Sequence, residues 1–249
     1  MKTISLINKK GGVGKTTITV NLAYALAESC DLRVLVVDND DQGNATQFFG
    51  ARAESGLADV LTGADIRACL SKTRYSLIDL LPSDERLLEA NMAVIKDETI
   101  VQQSILKDAL QSIDEMYDIC LIDNPPSINA SVINALVASD EVIIVTTPDM
   151  YGLRGVEQMI TYINAIQAGY NPQLRFRGCL LNKFSMTPHG FKILAKLRKD
   201  IPLFRSRIRY TKDKPEAAAE EQQAIFEYSP NCGFSCDLVK FLRELMEGM

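Results

Sequence analysis

The sequence of 249 residues contains no apolar run near the roughly 18 residues that a membrane span requires. Its opening stretch, Met1 to Ile7, is too short to serve as the apolar core of a secretory signal, so a cytoplasmic protein is expected. There is a single histidine, His189, which follows Pro188 at an expected helix start and is assigned no catalytic role. The six cysteines are Cys30, Cys69, Cys120, Cys179, Cys232 and Cys236, and only the last two lie close together. A zinc site needs about four ligands at workable spacing, which this set does not offer. Free thiols in a reducing compartment are therefore expected, with Cys120 and Cys179 acting as small hydrophobes inside apolar runs. No internal repeat, low-complexity tract or linker interrupts the chain, so one domain spanning residues 1–249 is expected.

What is present is an ordinary globular balance, 47% hydrophobic and 24% charged, in a chain long enough to bury its own core. The net charge of −5 conceals an asymmetry. Residues 174–214 carry twelve Lys and Arg against two Asp, a surplus of ten positive charges on an otherwise acidic chain. Such a split points to a face for a polyanion. Lys192, Lys196 and Lys199 recur at helical spacing. Ile193, Leu194 and Leu197 occupy the opposite side. Arg205, Arg207 and Arg209 alternate as they would along one side of an extended run, followed by Lys212 and Lys214. No aromatic residue interleaves these cations in a way that suggests base stacking. DNA is therefore expected to be held by its phosphates, with little sequence preference.

Continuous Val/Ile/Leu strands alternate with amphipathic helices. Strands are expected at 4–8, 33–38, 119–123, 141–146 and 176–182. Helices are expected at 16–28, 100–113, 156–168, 190–199 and 237–246. That alternation means an α/β fold, a mostly parallel twisted sheet with helices on both faces. Ligands in such sheets bind at the carboxyl ends of the strands, and the chemistry-bearing motifs fall there.

The first of them, Lys9-Lys10-Gly11-Gly12-Val13-Gly14-Lys15-Thr16-Thr17, follows a strand and opens a helix. Glycines let backbone N–H groups turn around phosphate oxygens, and the helix N-terminus adds partial positive charge. Lys10 to Thr17 thus forms a phosphate-binding loop, with Lys15 placed for the β- and γ-phosphates and the Thr16 hydroxyl for Mg²⁺. The general pattern asks for glycine at position 9, where this chain has lysine. A second motif, Asp38-Asn39-Asp40-Asp41-Gln42-Gly43-Asn44, ends a strand with its carboxylates beside the phosphates. A third, Ile119 to Ser127, ends an apolar strand in Asp123, the usual partner of a phosphate loop, which holds Mg²⁺ through water. Asn182, at the end of a late strand, has a carboxamide able to pair with the N6 and N7 edge of adenine.

Lys-Gly-Gly-Val-Gly-Lys-Thr-Thr resembles the deviant phosphate loop of the ParA/MinD family of ATPases. The resemblance continues through both acidic motifs, Tyr151 to Gly155 and Phe226-Glu227-Tyr228. It implies a P-loop NTPase fold, with ATP and Mg²⁺ as cofactors. It implies that Lys10 reaches the partner's nucleotide across a homodimer, that Asp40 orients the attacking water and that Asp38 lies near the metal. Asn182 takes the base-recognition position. The family usually has proline where this chain has Asp41 and threonine where it has Asn124.

No helix-turn-helix segment is expected ahead of the loop, so the likeness is to the short ParA proteins. These form an ATP-dependent dimer on non-specific DNA, associated with the nucleoid, and a ParB-like centromere-binding protein stimulates their hydrolysis. A MinD-like membrane positioner needs a basic amphipathic tail. The terminal stretch 237–247 has two basic residues and three acidic ones, so no membrane partner is expected. An iron–sulfur reductase would need cysteines after the switch motifs, and a metabolic kinase would leave Lys10 and the basic segment unexplained. A nucleoid-bound positioner of a protein cargo shares every one of these motifs.

Overall fold

The computed structural model describes residues 1–52, 54–97 and 101–248, without the side chains of 150–154, 189, 198 and 200. Eight strands form one sheet: β1 (Lys2–Ile7), β2 (Val34–Asp38), β3 (Ser71–Lys72), β4 (Ile78–Leu81), β5 (Ile119–Asp123), β6 (Glu141–Thr146), β7 (Arg175–Phe184) and β8 (Leu203–Arg209). Their order is β3-β4-β2-β5-β1-β6-β7-β8. Every pairing is parallel except that of β3 with β4.

Twelve α-helices appear among the described residues. They are α1 (Lys15–Cys30), α2 (Asn44–Phe48), α3 (Leu57–Leu61), α4 (Ile66–Cys69), α5 (Arg86–Lys96), α6 (Ile105–Gln111), α7 (Ala130–Ala138), α8 (Met150–Gly169), α9 (Pro188–Asp200), α10 (Lys214–Glu220), α11 (Ile225–Tyr228) and α12 (Gly233–Glu247).

The central strands are apolar at successive positions because both faces are covered. Val34 and Val36 of β2, with Ile119 and Leu121 of β5, pack toward α1 and α12. Leu35, Val37, Cys120 and Ile122 point the other way, into a core shared with α3, α5, α6 and α7. Beyond β1 that second face continues into a cluster of β6 and β7 with α8 and α9, where Ile193, Leu194 and Leu197 are buried as their spacing requires. β1 lies between β5 and β6, so the strand order reverses around it and opens the crevice at its carboxyl end.

One expectation changes. The helix placed at 100–113 is only Ile105–Gln111, followed by a 3₁₀ turn at Asp114–Met116; residues 98–100 lie outside the described residues. Strand β4 and helix α7 carry no expectation above. β4 is four residues long and ends at Pro82, short enough to pass for a loop. Strand β8 is an edge strand whose N–H groups are capped by carboxylates of α12. Arg205 and Ser206 N–H donate to Glu244 at 2.6 and 2.8 Å, and Arg209 N–H donates to Asp237 at 3.1 Å.

Candidate nucleotide site

The loop from Lys9 to Gly14 connects β1 to α1, and the backbone turns left-handed at Gly14, with φ 91°. A β-carbon there would lie 2.3 Å from Asn182 Nδ2, so only glycine allows the approach. Asn182 is 2% exposed and lies beneath the loop. Its Nδ2 donates to the Val13 carbonyl at 2.8 Å, and its Oδ1 accepts from Lys183 N–H at 2.8 Å. Both ends of its carboxamide are engaged inside the chain, and it braces the phosphate loop. The Val13 side chain is buried in the core, leaving only its backbone for the loop.

Gly11, Gly12, Gly14, Lys15, Thr16 and Thr17 line a cleft of about 760 Å³. Opposite them lie Asp40, Gln42, Asn44 and Phe48, and Pro125 to Ser127 close one end. Lys183, Glu216, Ala219 and Glu220 complete the wall. The last three belong to α10, an element that pattern alone did not connect with the site. Its only sequence signal is a helix start at Pro215 after the basic run.

Asp123 is 1% exposed and lies behind Thr16 of the cleft wall. Its Oδ2 accepts from Thr16 Oγ1 at 2.5 Å. Burial, then the nearby charge of Asp38, pushes its carboxyl up to about 7, although the Thr16 hydroxyl and Lys15 pull the other way. Burial likewise raises Asp40 and lowers Lys15, whose ammonium is drawn back up by Asp123 and Asp40. Two carboxylates, Asp123 and Asp40, thus act on one buried ammonium, with Asp38 close to both, a surplus of negative charge around hard oxygen donors. A small divalent cation fits that donor set.

Asp38 lies beside Asp123, its register partner. Its Oδ2 accepts from Thr46 N–H at 2.8 Å and Thr46 Oγ1 at 2.7 Å, and its Oδ1 accepts from Asp40 N–H at 3.2 Å. The carboxylate, raised to about 6 chiefly by burial, pins the loop to α2.

Lys10 does not line the cleft. Its ammonium donates to Thr147 Oγ1 at 3.0 Å and pairs with Asp149 Oδ2 at 2.6 Å, on the rim beyond β6.

The basic segment is less free than its charge count suggests. Arg205, Arg207 and Arg209 do share one side of β8, where they line a 430 Å³ cleft with α12. Arg209, however, is paired with Asp237 at 2.6 Å, and Arg205 with Glu247 and Glu244. Arg175 and Arg177 are tied to the fully buried Glu141. Arg209 is thus held against the buried Asp237, whereas the pairs of the 78% exposed Arg205 are easily given up. Lys192, Lys196 and Lys199 are exposed and Arg207 is partly so. None of the four has a carboxylate partner among the described residues; Arg207 lies over the Phe184 ring. Lys212 is 3.9 Å from Asp213, and Lys214 donates to Ser229.

Residues 1–176 match a family model described as an AAA domain. The chain is 38% identical over 184 residues to a chromosome-partitioning ATPase Soj of Thermus thermophilus, covering 74% of this chain and 70% of that one. The chain belongs to the ParA family of P-loop ATPases. A ParA family protein of Chlamydia pneumoniae is 32% identical over 256 residues, covering 99% of this chain and 98% of its own. Among solved structures, a cobyrinic acid a,c-diamide synthase of Mycobacterium smegmatis, with bound ATP analogue and magnesium, superposes with a TM-score of 0.80. It is 31% identical, and the match covers 89% of this chain and 92% of that one. This ParA-family chain is accordingly an ATP hydrolase with a ParA-like role in partitioning. No helix among its described residues is long and apolar enough to cross a membrane.

Proposed function

We propose that the chain is a DNA-partition ATPase of one domain that binds ATP with Mg²⁺ in the cleft above β1 and works as an ATP-dependent homodimer. The observation carrying this reading is that Lys15 and Thr16 line the cleft opposite Asp40, with Asp123 bonded to Thr16 from behind. Lys15 neutralises the β/γ-phosphates. Thr16 and Asp123 hold Mg²⁺, which supplies charge neutralisation on the phosphates when bound. Asp40 orients the attacking water. Phosphoryl transfer asks for little beyond such positioning and charge. Lys10 serves a different partner. Its ion pair with Asp149 is about one-third exposed on both sides, and pairs of that exposure contribute roughly 0–1 kcal/mol. It can therefore be given up for a phosphate across a dimer face.

Lys192, Lys196, Lys199 and Arg207, with Lys212 and Lys214 at the margin, form the DNA face of each subunit, and dimerisation doubles it. A ParB-like partner stimulates hydrolysis and releases the dimer. The apolar side of α12, including Leu238, Phe241 and Leu245, is buried in the core rather than turned outward as a lipid-binding helix would be. The test is sedimentation and DNA binding with ATP, ADP or neither, for the parent, Lys15→Ala and Asp40→Ala. The expected result is ATP-dependent dimerisation and DNA retention in the parent and in Asp40→Ala, and neither in Lys15→Ala. DNA binding that ignores the nucleotide would refute the reading.

A further inference from the structure

One departure noted in the sequence, Asn124, meets Asn39 in the fold. Asp38 and Asp123 are register partners at the ends of the adjacent strands β2 and β5, so the residues that follow them, Asn39 and Asn124, stand side by side. Asn39 N–H donates to the Asp123 carbonyl at 2.9 Å. Asn39 Nδ2 donates to Asn124 Oδ1 at 2.8 Å. Asn124 Nδ2 in turn donates to the carbonyls of Leu6 at 3.1 Å and Ile122 at 3.3 Å. The orientation of both carboxamides follows from these neighbours. Asn124 faces two carbonyls that can only accept, so its nitrogen must lie there and its oxygen must meet Asn39. Asn39 and Asn124 are 0% and 1% exposed.

The bridge runs on toward the phosphate loop. Leu6 belongs to β1, and two residues later the buried Asn8 accepts from Lys10 N–H at 2.9 Å through Oδ1 and donates to the Val145 carbonyl at 2.7 Å. Asparagines thus join the carboxyl ends of β2, β5, β1 and β6 directly beneath the cleft. The bond is costly to break, because each buried amide left without its partner carries the full desolvation penalty. Asn39 Oδ1 already lacks a hydrogen-bond partner among the described residues, so the Asn124 contact is the one bond its side chain makes there.

We propose that Asn39 and Asn124 are positioning residues for ATP hydrolysis. Their carboxamide bridge locks the loop carrying Asp40 to the strand end carrying Asp123, so that the water-orienting and metal-side carboxylates hold one fixed separation. A hydroxyl at position 124, the residue usual in the related motif, could not accept from Asn39 while also donating to Leu6 and Ile122. The chain therefore pairs its unusual Asn124 with Asn39. The proposal rests on the roles assigned above to Asp40 and Asp123.

A double-mutant cycle tests it, with single-turnover ATP hydrolysis, ATP affinity and Tm measured for Asn39→Ala, Asn124→Ala and the double variant. Each single substitution is expected to slow hydrolysis about tenfold, a size typical of directly coupled pairs, while ATP affinity changes less than about twofold. The double variant should be no slower than either single one. Asn124→Leu, close in size to asparagine but able neither to accept nor to donate, should behave as Asn124→Ala and replaces it if the alanine variant fails to fold. Rates that multiply to about a hundredfold loss in the double variant would overturn the proposal. So would a lowered Tm with unchanged hydrolysis, or affinity and rate falling together. Asp40→Ala is the control: full turnover in that variant would defeat the underlying assignment, whereas a dead Asp40→Ala beside normal asparagine variants would defeat the bridge alone.

Discussion

Asp123→Asn is expected to stabilise the ligand-free protein while destroying its response to magnesium and ATP. In the fold the carboxyl is moved from 3.8 to about 7, by burial first and by Asp38 second. Each power of ten in an ionisation constant corresponds to about 1.4 kcal/mol, so ionised Asp123 costs the empty fold up to about 4 kcal/mol. Asparagine removes that cost with little loss of bonding. Its Oδ1 can still accept from Thr16 Oγ1, and its Nδ2 can donate to Thr19 Oγ1, whose own hydrogen goes to the Lys15 carbonyl at 3.0 Å. Lys15 loses an attractive partner, which halves the expected gain to about 2 kcal/mol, or roughly 4–8 °C in Tm for a chain of this size.

The pH dependence has a definite sign. A carboxyl whose folded pKa is raised binds a proton in the folded state and not in the unfolded one between the two values, so parental stability falls as pH rises through that window. The advantage of Asp123→Asn should therefore be absent below about pH 4, grow to about pH 7 and stay level above it. With saturating Mg²⁺ and ATP the order should reverse, since a ligand at a hundred times its Kd adds about 2.7 kcal/mol to the parent. Thermal melts in chelator between pH 4 and 8, then with Mg²⁺ and ATP, decide the matter. A variant less stable than the parent above pH 7, or an advantage independent of pH, would refute the electrostatic account.

Lys10→Ala should bind ATP normally and fail to dimerise, whereas Asp149→Ala, which releases Lys10 from its own subunit, should strengthen ATP-dependent dimerisation about two- to fivefold. That range corresponds to the roughly 0–1 kcal/mol of an ion pair about one-third exposed, and sedimentation equilibrium measures both. Neutralising Lys196 should lower the magnitude of the dimer's salt slope on duplex DNA by about 2, equally for unrelated sequences. Arg209→Ala should lower stability by about 1 kcal/mol, because it strips the side-chain donors from Asp237, and should not alter the slope; urea melts and fluorescence titrations separate the two effects. Asp237 and Glu244 are both pushed up by burial and pulled down further, Asp237 by the Arg209 side chain and Glu244 by the N–H groups of Arg205 and Ser206, so both end below their ordinary values. Their contribution is present above about pH 4 and lost as pH falls below it, so acid should loosen α12 from β8 first, visible as early exchange of the β8 amides.

The chemistry of the phosphate loop was legible in the residues, because its requirements are local. A strand, a turn with glycine at 14, a lysine at 15 and a hydroxyl at 16 suffice to form an anion cradle at a helix start, and the structure places them so. The parallel sheet was legible too, because continuous apolar strands such as Val34–Asp38 and Ile119–Asp123 need cover on both faces. The alternation of Arg205, Arg207 and Arg209 correctly placed them on one side of a strand. It did not show that Asp237 and Glu244, seven residues apart on one face of α12, would pair with two of the three. Which charges are spent on one another depends on contacts between elements distant in sequence, and those form only when the chain packs. The same holds for Asn182, turned under the loop by the close approach at Gly14, and for Asp38, claimed by Thr46. Asn39 and Asn124, 85 positions apart in the chain, became a pair only because β2 lies against β5 in the sheet. Sequence determined the local chemistry, and tertiary structure decided which polar groups already have partners, because satisfying buried donors and acceptors is settled across the whole fold.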